Sequence, residues 1–206
     1  MTPEELVRLG PASHDDLIGK AKVVAKMFCS RIESGNRQPI KLLCYGDPGI
    51  GKTAVCRIIA NQLVRHSSMI RRVSAVGLTT DMMRDWMWDL RYQNRDWRVY
   101  WVEEVDAISP ATEVLMLQFL DDMPEQTAAL FTSNEAMSGI SGRFQSRTQA
   151  IRFERPSVTA VEKFLLGHWP ELGHVAKEIA ETNNGDVRAS LNDVQMQLDV
   201  KKYGVK

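Results

Sequence analysis

The stretch Gly46-Asp47-Pro48-Gly49-Ile50-Gly51-Lys52-Thr53 decides the reading of this chain. It has the spacing GxxxxGK[ST], in which glycines let the backbone curl until its N–H groups point inward at phosphate oxygens. Its flanks are those that such a loop requires. Ile40 to Tyr45 is an apolar run that reads as a buried strand, and Ala54 to Leu63 carries helical periodicity. A helix that begins at the loop adds the partial positive charge of its N-terminus at the same spot. On this reading Gly46, Asp47, Pro48, Gly49, Ile50, Gly51, Lys52, Thr53 and Ala54 bind the phosphates of a nucleotide. Lys52 reaches the outer phosphates and the Thr53 hydroxyl ligates Mg²⁺.

The 206 residues suit one large domain, or a medium domain with a small satellite. With 26 basic and 26 acidic residues the formal net charge is zero, so no global field draws the chain to nucleic acid or membrane. Such a contact must come from a local patch or from patches summed across an oligomer. Cys29, Cys44 and Cys56 form no CxxC pair and read as buried thiols in a reducing cytosol. No apolar stretch approaches the roughly 18 residues of a membrane span. The acidic start Met1-Thr2-Pro3-Glu4-Glu5 lacks a signal-peptide pattern. A cytoplasmic location without a membrane partner is expected. The four histidines are scattered, so no metal site built from protein ligands alone is expected.

Along the chain, residues 1–14 read as a lead-in, and Ser13 to Asp16 as the cap of a helix through Phe28. The first strand and the phosphate loop follow. Further strands are expected at Arg72–Leu78, Trp97–Val102, Thr127–Thr132 and Gln149–Phe153. Helices are expected through Met82–Tyr92, broken by Gln93 to Asp96, through Pro110–Asp122 and around Ser138–Phe144. Alternating strands and helices predict an α/β fold with a parallel five-stranded sheet covered on both faces. From Pro156 the strands stop, and Ser157–Leu166, His174–Thr182 and Val187–Asp199 read as three helices. The expected organisation is a nucleotide-binding core over residues 1–155 and a small helical lid over residues 156–206.

The third strand ends in two adjacent acids, Glu103 and Glu104. At a strand's C-terminal edge beside a phosphate loop, one carboxylate orients the Mg²⁺ ligand shell and the other polarises the attacking water. Glu103 takes the first role and Glu104 the second. Asn134 ends the fourth strand, where its amide either holds water or the outermost phosphate, or merely caps the turn.

Gly46–Thr53, Val99–Asp106, Thr132-Ser133-Asn134, Ser146-Arg147-Thr148 and Gly185–Arg188 resemble, in order, the motifs of an AAA+ ATPase. The resemblance covers roughly residues 15 to 200. Within that family it is similar to the clamp-loader clade of replication factor C small subunits and bacterial polymerase III gamma subunits. Glu103-Glu104-Val105-Asp106 is similar to the clade's DEVD, Gln145-Ser146-Arg147 to its SRC box, and Gly185 to Asn192 to its GDxRxxLN stretch. Asp15 to Gly19 resembles the segment beside the adenine, which implies ATP contacts for Ile18 and Gly19. The resemblance further implies that Arg147 reaches the ATP of a neighbouring subunit, with Arg143 close enough to be confused with it, and that Arg188 contacts the γ-phosphate of its own. It implies ATP and Mg²⁺ as cofactors and self-association into a ring or spiral with nucleotide at subunit interfaces. Three departures stand out. Glu103 replaces the clade's Asp, and its extra methylene pushes the carboxylate out by roughly 1.5 Å. The chain stops just past the third lid helix, so the collar of a clamp loader is expected to be missing. The paired-cysteine zinc insert of some relatives is absent.

Trp97 and Trp101 flank a buried strand and read as packing, whereas Trp86 and Trp88 lie on opposite sides of one helix and cannot both be core. Arg71-Arg72 and Lys201-Lys202 read as solvated basic pairs. Three functions are compatible with these residues: a motor or switch ATPase on DNA-bound replication, recombination or mobile-element machinery; a remodeller of a protein partner, such as a helicase loader or activase-like chaperone; and an ATP-gated binding module with little turnover. DNA or a DNA-bound protein is the expected partner.

Overall fold

The computed structural model describes residues 2–92, 96–135 and 137–204. Gln93, Asn94 and Arg95, read as part of the break before the third strand, lie outside the described residues. Five strands form one sheet: β1 (Ile40–Tyr45), β2 (Ile70–Ser74), β3 (Arg98–Glu103), β4 (Thr127–Ser133) and β5 (Gln149–Arg152). Their order is β2-β3-β4-β1-β5, and every neighbouring pair is parallel. β4 is central and buried at all seven positions. Its apolar run is continuous rather than alternating because a parallel sheet is covered on both faces. The fold read from the strand–helix alternation is therefore the fold observed.

By contacts the chain divides into two compact units. One comprises Met27–Gly46 and Ile59–Arg152 and contains the whole sheet. Alternate strand residues Leu43, Tyr100, Val102, Ala129 and Phe131 pack there with α4 (Thr80–Asp89) and α5 (Pro110–Asp121). Both helices start where the sequence provides a cap: Thr79 accepts from the Met82 N–H and Ser109 from the Thr112 N–H, with Pro110 in the first turn. β2 starts at Ile70, earlier than its apolar pattern suggested, and stops at Ser74. There the Ser74 hydroxyl accepts the Gly77 N–H at 3.3 Å and turns Ala75–Gly77 into a 3₁₀ turn. As an edge strand β2 carries exposed Arg71 and Arg72, which discourage further pairing.

The other unit comprises Met1–Lys26, Asp47–Ile58 and Phe153–Lys206. The three expected helices are α7 (Val158–His168), α8 (Val175–Thr182) and α9 (Val187–Tyr203). They share a core with Leu6 of α1 (Pro3–Leu9), a helix within the stretch read as a lead-in. Thr2 and Glu5 form a reciprocal capping box there, and the Glu4 N–H donates to Gln195 of α9 at 3.1 Å. Ser13 caps a short 3₁₀ turn, His14–Asp16, and the following helix α2 (Gly19–Glu33) starts separately. The remaining helices are α3 (Lys52–Leu63) and α6 (Gly142–Gln145). Cys29, Cys44 and Cys56 are buried and not joined in disulfides. Among the described residues no helix is long and apolar enough to cross a membrane.

Candidate functional site

The chain leaves β1 at Tyr45, in register with Ser133 of β4, and enters the glycine loop. Gly46, Gly49 and Gly51 have φ of 134°, 77° and 93°, a backbone conformation that side-chain-bearing residues rarely adopt. Two of these positions also lack room. A Cβ at Gly51 would lie 3.1 Å from that of Ala21, and one at Gly49 would run into the Asp186 carboxylate. Lys52 opens α3 and is 5% exposed; its ammonium donates to the Asp47 carbonyl of its own loop at 2.5 Å. Thr53 follows in the same first turn. A curled backbone, a helix N-terminus and a buried ammonium on one loop are the donors that a polyphosphate anion needs, so this loop fits a nucleotide.

Two further residues of the same unit, Arg155 and Asp186, lie against the loop. The Asp47 carboxylate accepts from Arg155 Nε at 3.0 Å. Asp186, whose carboxylate borders Gly49, also caps α9 by accepting from the Ala189 N–H at 3.0 Å. Arg188 is the second residue of α9 and is exposed. Ile18 is half-buried against the core of α7–α9, and Gly19, with φ of 55°, begins α2.

Within the sheet-bearing unit, Glu103 and Glu104 leave the C-terminal end of β3 beside β4. Glu104 is exposed and left-handed, with φ of 54° and ψ of 50°. A glutamate pays roughly 1–2 kcal/mol for that conformation, which persists only where the surroundings impose it. Its N–H donates to the Thr132 hydroxyl at 3.4 Å, and its carboxylate accepts from the Asn134 amide at 3.5 Å. Arg147 Nε donates to both Asp121 oxygens at 2.9 Å, and its Nη1 to the Arg143 carbonyl at 3.1 Å. Arg143 itself is exposed.

Glu103 holds an unexpected partner. Arg72 Nε and Nη2 donate to its two oxygens, each at 2.9 Å. Both oxygens of the acid expected in the Mg²⁺ ligand shell are thus engaged by a guanidinium, and in this conformation Glu103 does not fit that role. Among the described residues no group of three or more His, Cys, Asp or Glu could hold a metal ion. Sequence reading passed over Arg72, Arg155 and Asp186. Arg72 looked like half of a solvated basic pair, and its place one strand from Glu103 exists only once the sheet is ordered.

Comparison with known proteins supports the same reading. Residues 42–155 match the family model "ATPase family associated with various cellular activities (AAA)". The chain is similar to the replication factor C large subunit of Ignicoccus hospitalis, at 25% identity over 92% of this chain and 42% of that protein. It is also similar to the Holliday junction branch migration complex subunit RuvB of Mycoplasmopsis pulmonis, at 32% identity over 93% of this chain and 58% of that protein. It therefore spans about half the length of these two relatives. Among solved structures, the Thermotoga maritima RuvB Holliday junction branch migration motor superposes with a TM-score of 0.75 at 21% identity, over 97% of this chain and 68% of that one. That likeness concerns the fold. The glycine loop, the strand order and the family match together place this chain in the ATPase family associated with various cellular activities.

Proposed function

We propose that this chain is an AAA+ ATP hydrolase that works as an oligomeric motor or switch on DNA-bound machinery. The observation that carries the proposal is the loop in which Gly46, Gly49 and Gly51 are all left-handed and deliver buried Lys52 to the start of α3. In this proposal the loop N–H groups and Lys52 bind the triphosphate of ATP, which arrives with its magnesium ion as one substrate. Ile18 and Gly19 border the base. Glu104 orients and deprotonates the attacking water, with Asn134 holding the carboxylate in place. Arg188 and a neighbouring copy's Arg147 neutralise charge that builds on the phosphates. An arginine supplied in trans is worth roughly 10³–10⁵ in rate for related phosphoryl transfers.

The proposed division of labour assigns nucleotide binding and hydrolysis to a core over residues 1–155 and nucleotide-dependent motion to a lid over residues 156–206. Assembly as a ring or spiral follows from the shared site. A DNA-directed role is supported by the relatives, which are a replication factor subunit and a Holliday junction branch migration subunit. Backbone contacts summed over several copies would serve a chain of zero net charge, with steep salt dependence.

The test uses two inactive variants. Lys52→Ala removes the phosphate grip and Arg147→Ala removes the arginine given to a neighbour. Mixed together, they rebuild interfaces that combine an intact loop with an intact Arg147, so turnover of the mixture exceeds that of either variant alone. Turnover per subunit also falls on dilution and rises with DNA. A mixture as inactive as its parts, with wild-type turnover unchanged on dilution, contradicts the shared site. Stimulation by a protein partner and not by DNA favours the remodeller reading.

A further inference from the structure

We propose that Asp186 is a built-in electrostatic counterweight to the nucleotide: its carboxylate opposes the phosphates that the glycine loop holds, and so weakens the site most for the most highly charged nucleotide. This rests on the reading that the loop binds a nucleotide. Every residue it uses belongs to the compact unit of Met1–Lys26, Asp47–Ile58 and Phe153–Lys206.

The carboxylate is fixed against the loop. Gly49, the fourth residue of the motif, has φ of 77°, and a Cβ there would collide with both Asp186 oxygens. On the other side Gly185, with φ of 80°, has no room for a Cβ beside the Pro156 carbonyl oxygen, so the turn that carries Asp186 packs directly on backbone. The Asp186 N–H donates to the Asn183 carbonyl at 2.9 Å, and the Asp186 carbonyl accepts from the Ser190 hydroxyl at 2.7 Å. A phosphate that accepts the loop N–H groups would lie within roughly 8 Å of this carboxylate, inside the screening length of physiological salt.

The other acid at the loop is already compensated. Arg155 Nε donates to the Asp47 carboxylate at 3.0 Å. The Asp186 carboxylate instead accepts from a neutral donor, the Ala189 N–H, at 3.0 Å, and among the described residues it has no ion-pair partner. Capping α9 does not call for its charge, because Asn and Ser cap a helix about as well as Asp. What Asp186 adds over those residues is a negative charge beside a loop whose donors suit an anion. Its repulsion grows with the number of charges on that anion, so it acts on a triphosphate more than on a diphosphate and not on a neutral nucleoside.

The experiment measures binding of a non-hydrolysable ATP analogue, of ADP and of adenosine to the full chain, at one fixed magnesium concentration and ionic strength. Asp186→Asn keeps the shape and the cap and removes the charge. It should bind the ATP analogue about three- to tenfold more tightly than the wild type, ADP with a smaller gain, and adenosine with none. Asp186→Glu, which keeps the charge, should show no gain. If Asp186→Asn does not fold, Asp186→Ser carries the test, since it too caps α9 without a charge. A residue that served only to hold the turn in place would lose affinity when replaced, for all three ligands alike. Affinity for the ATP analogue unchanged within about twofold or weakened in a folded, uncharged variant overturns this inference alone, as does an equal gain for adenosine or any gain in Asp186→Glu. No binding of the ATP analogue or ADP by the wild type overturns the parent reading with it.

Discussion

The Asn134 amide nitrogen lies 3.5 Å from the Glu104 carboxylate, joining the ends of the adjacent parallel strands β4 and β3. Glu104 is left-handed at this point, so its direction is set by the backbone as well as by its neighbour. We predict that Glu104→Gln lowers turnover by roughly 10²–10⁴ while leaving nucleotide affinity within about threefold. Asn134→Ala should cost less, about tenfold, because it removes only the positioning contact. Single-turnover hydrolysis alongside equilibrium binding measures both. Equal turnover in the wild type and Glu104→Gln would mark the chain as an ATP-gated binding module.

Gly49 tests the loop geometry separately. It has φ of 77°, and a Cβ there meets the Asp186 carboxylate, which also caps α9. Gly49→Ala is expected to cost about 1–3 kcal/mol and to abolish nucleotide binding. Gly35, also at φ of 77° but with open space around it, is the control: Gly35→Ala should cost only the conformational strain, about 1 kcal/mol, and leave binding intact. Urea melts and calorimetry separate the two outcomes.

Trp86 and Trp88 are two residues apart on α4 and meet different fates. Trp86 is 3% exposed, with ring centroids 5.0 Å from Tyr100 and 6.1 Å from Phe119, whereas Trp88 is 55% exposed. Trp86→Ala should destabilise by about 3–5 kcal/mol. Trp88→Ala should stay within about 0.5 kcal/mol. Tryptophan emission should shift to the red on urea unfolding mainly through Trp86 and its buried neighbours.

Tyr100 gives the fold an alkaline limit. Burial, with the Asp89 carboxylate adding to it, holds its hydroxyl above the ordinary tyrosine value. The folded state therefore keeps this proton longer than the unfolded chain does. The associated stability is fully present below pH of about 10 and is lost as pH rises through the raised folded value. Tyr100→Phe should flatten that decline, as measured by urea midpoints between pH 8 and pH 11.

The sheet was legible chiefly because β1, β3 and β4 carry buried apolar runs next to turn signals, and β4 is buried throughout. The glycine loop was legible because its geometry needs particular residues at particular spacings, and the structure gives Gly46, Gly49 and Gly51 that geometry. Helix α1 was missed although its signal was present: Thr2-Pro3-Glu4-Glu5 is a capping box with a proline in the first turn. Its short length and position at the chain start hid the apolar contact of Leu6, which forms only after α7–α9 pack. Arg72–Glu103, Arg147–Asp121 and Asp47–Arg155 were not legible for a different reason. Their partners are 31, 26 and 108 residues apart, and a charged residue on a strand edge or a loop carries no local mark of its partner.

The central claim is that the glycine loop and Lys52 grip the phosphates of ATP. Isothermal titration of the full chain with a non-hydrolysable ATP analogue and magnesium tests it most directly, with Lys52→Ala as the comparison. The account predicts saturable heat for the wild type and affinity at least about 100-fold weaker for Lys52→Ala, with an unchanged thermal melt in the absence of nucleotide. Equal affinity in the two proteins, or no heat from the wild type, would contradict it.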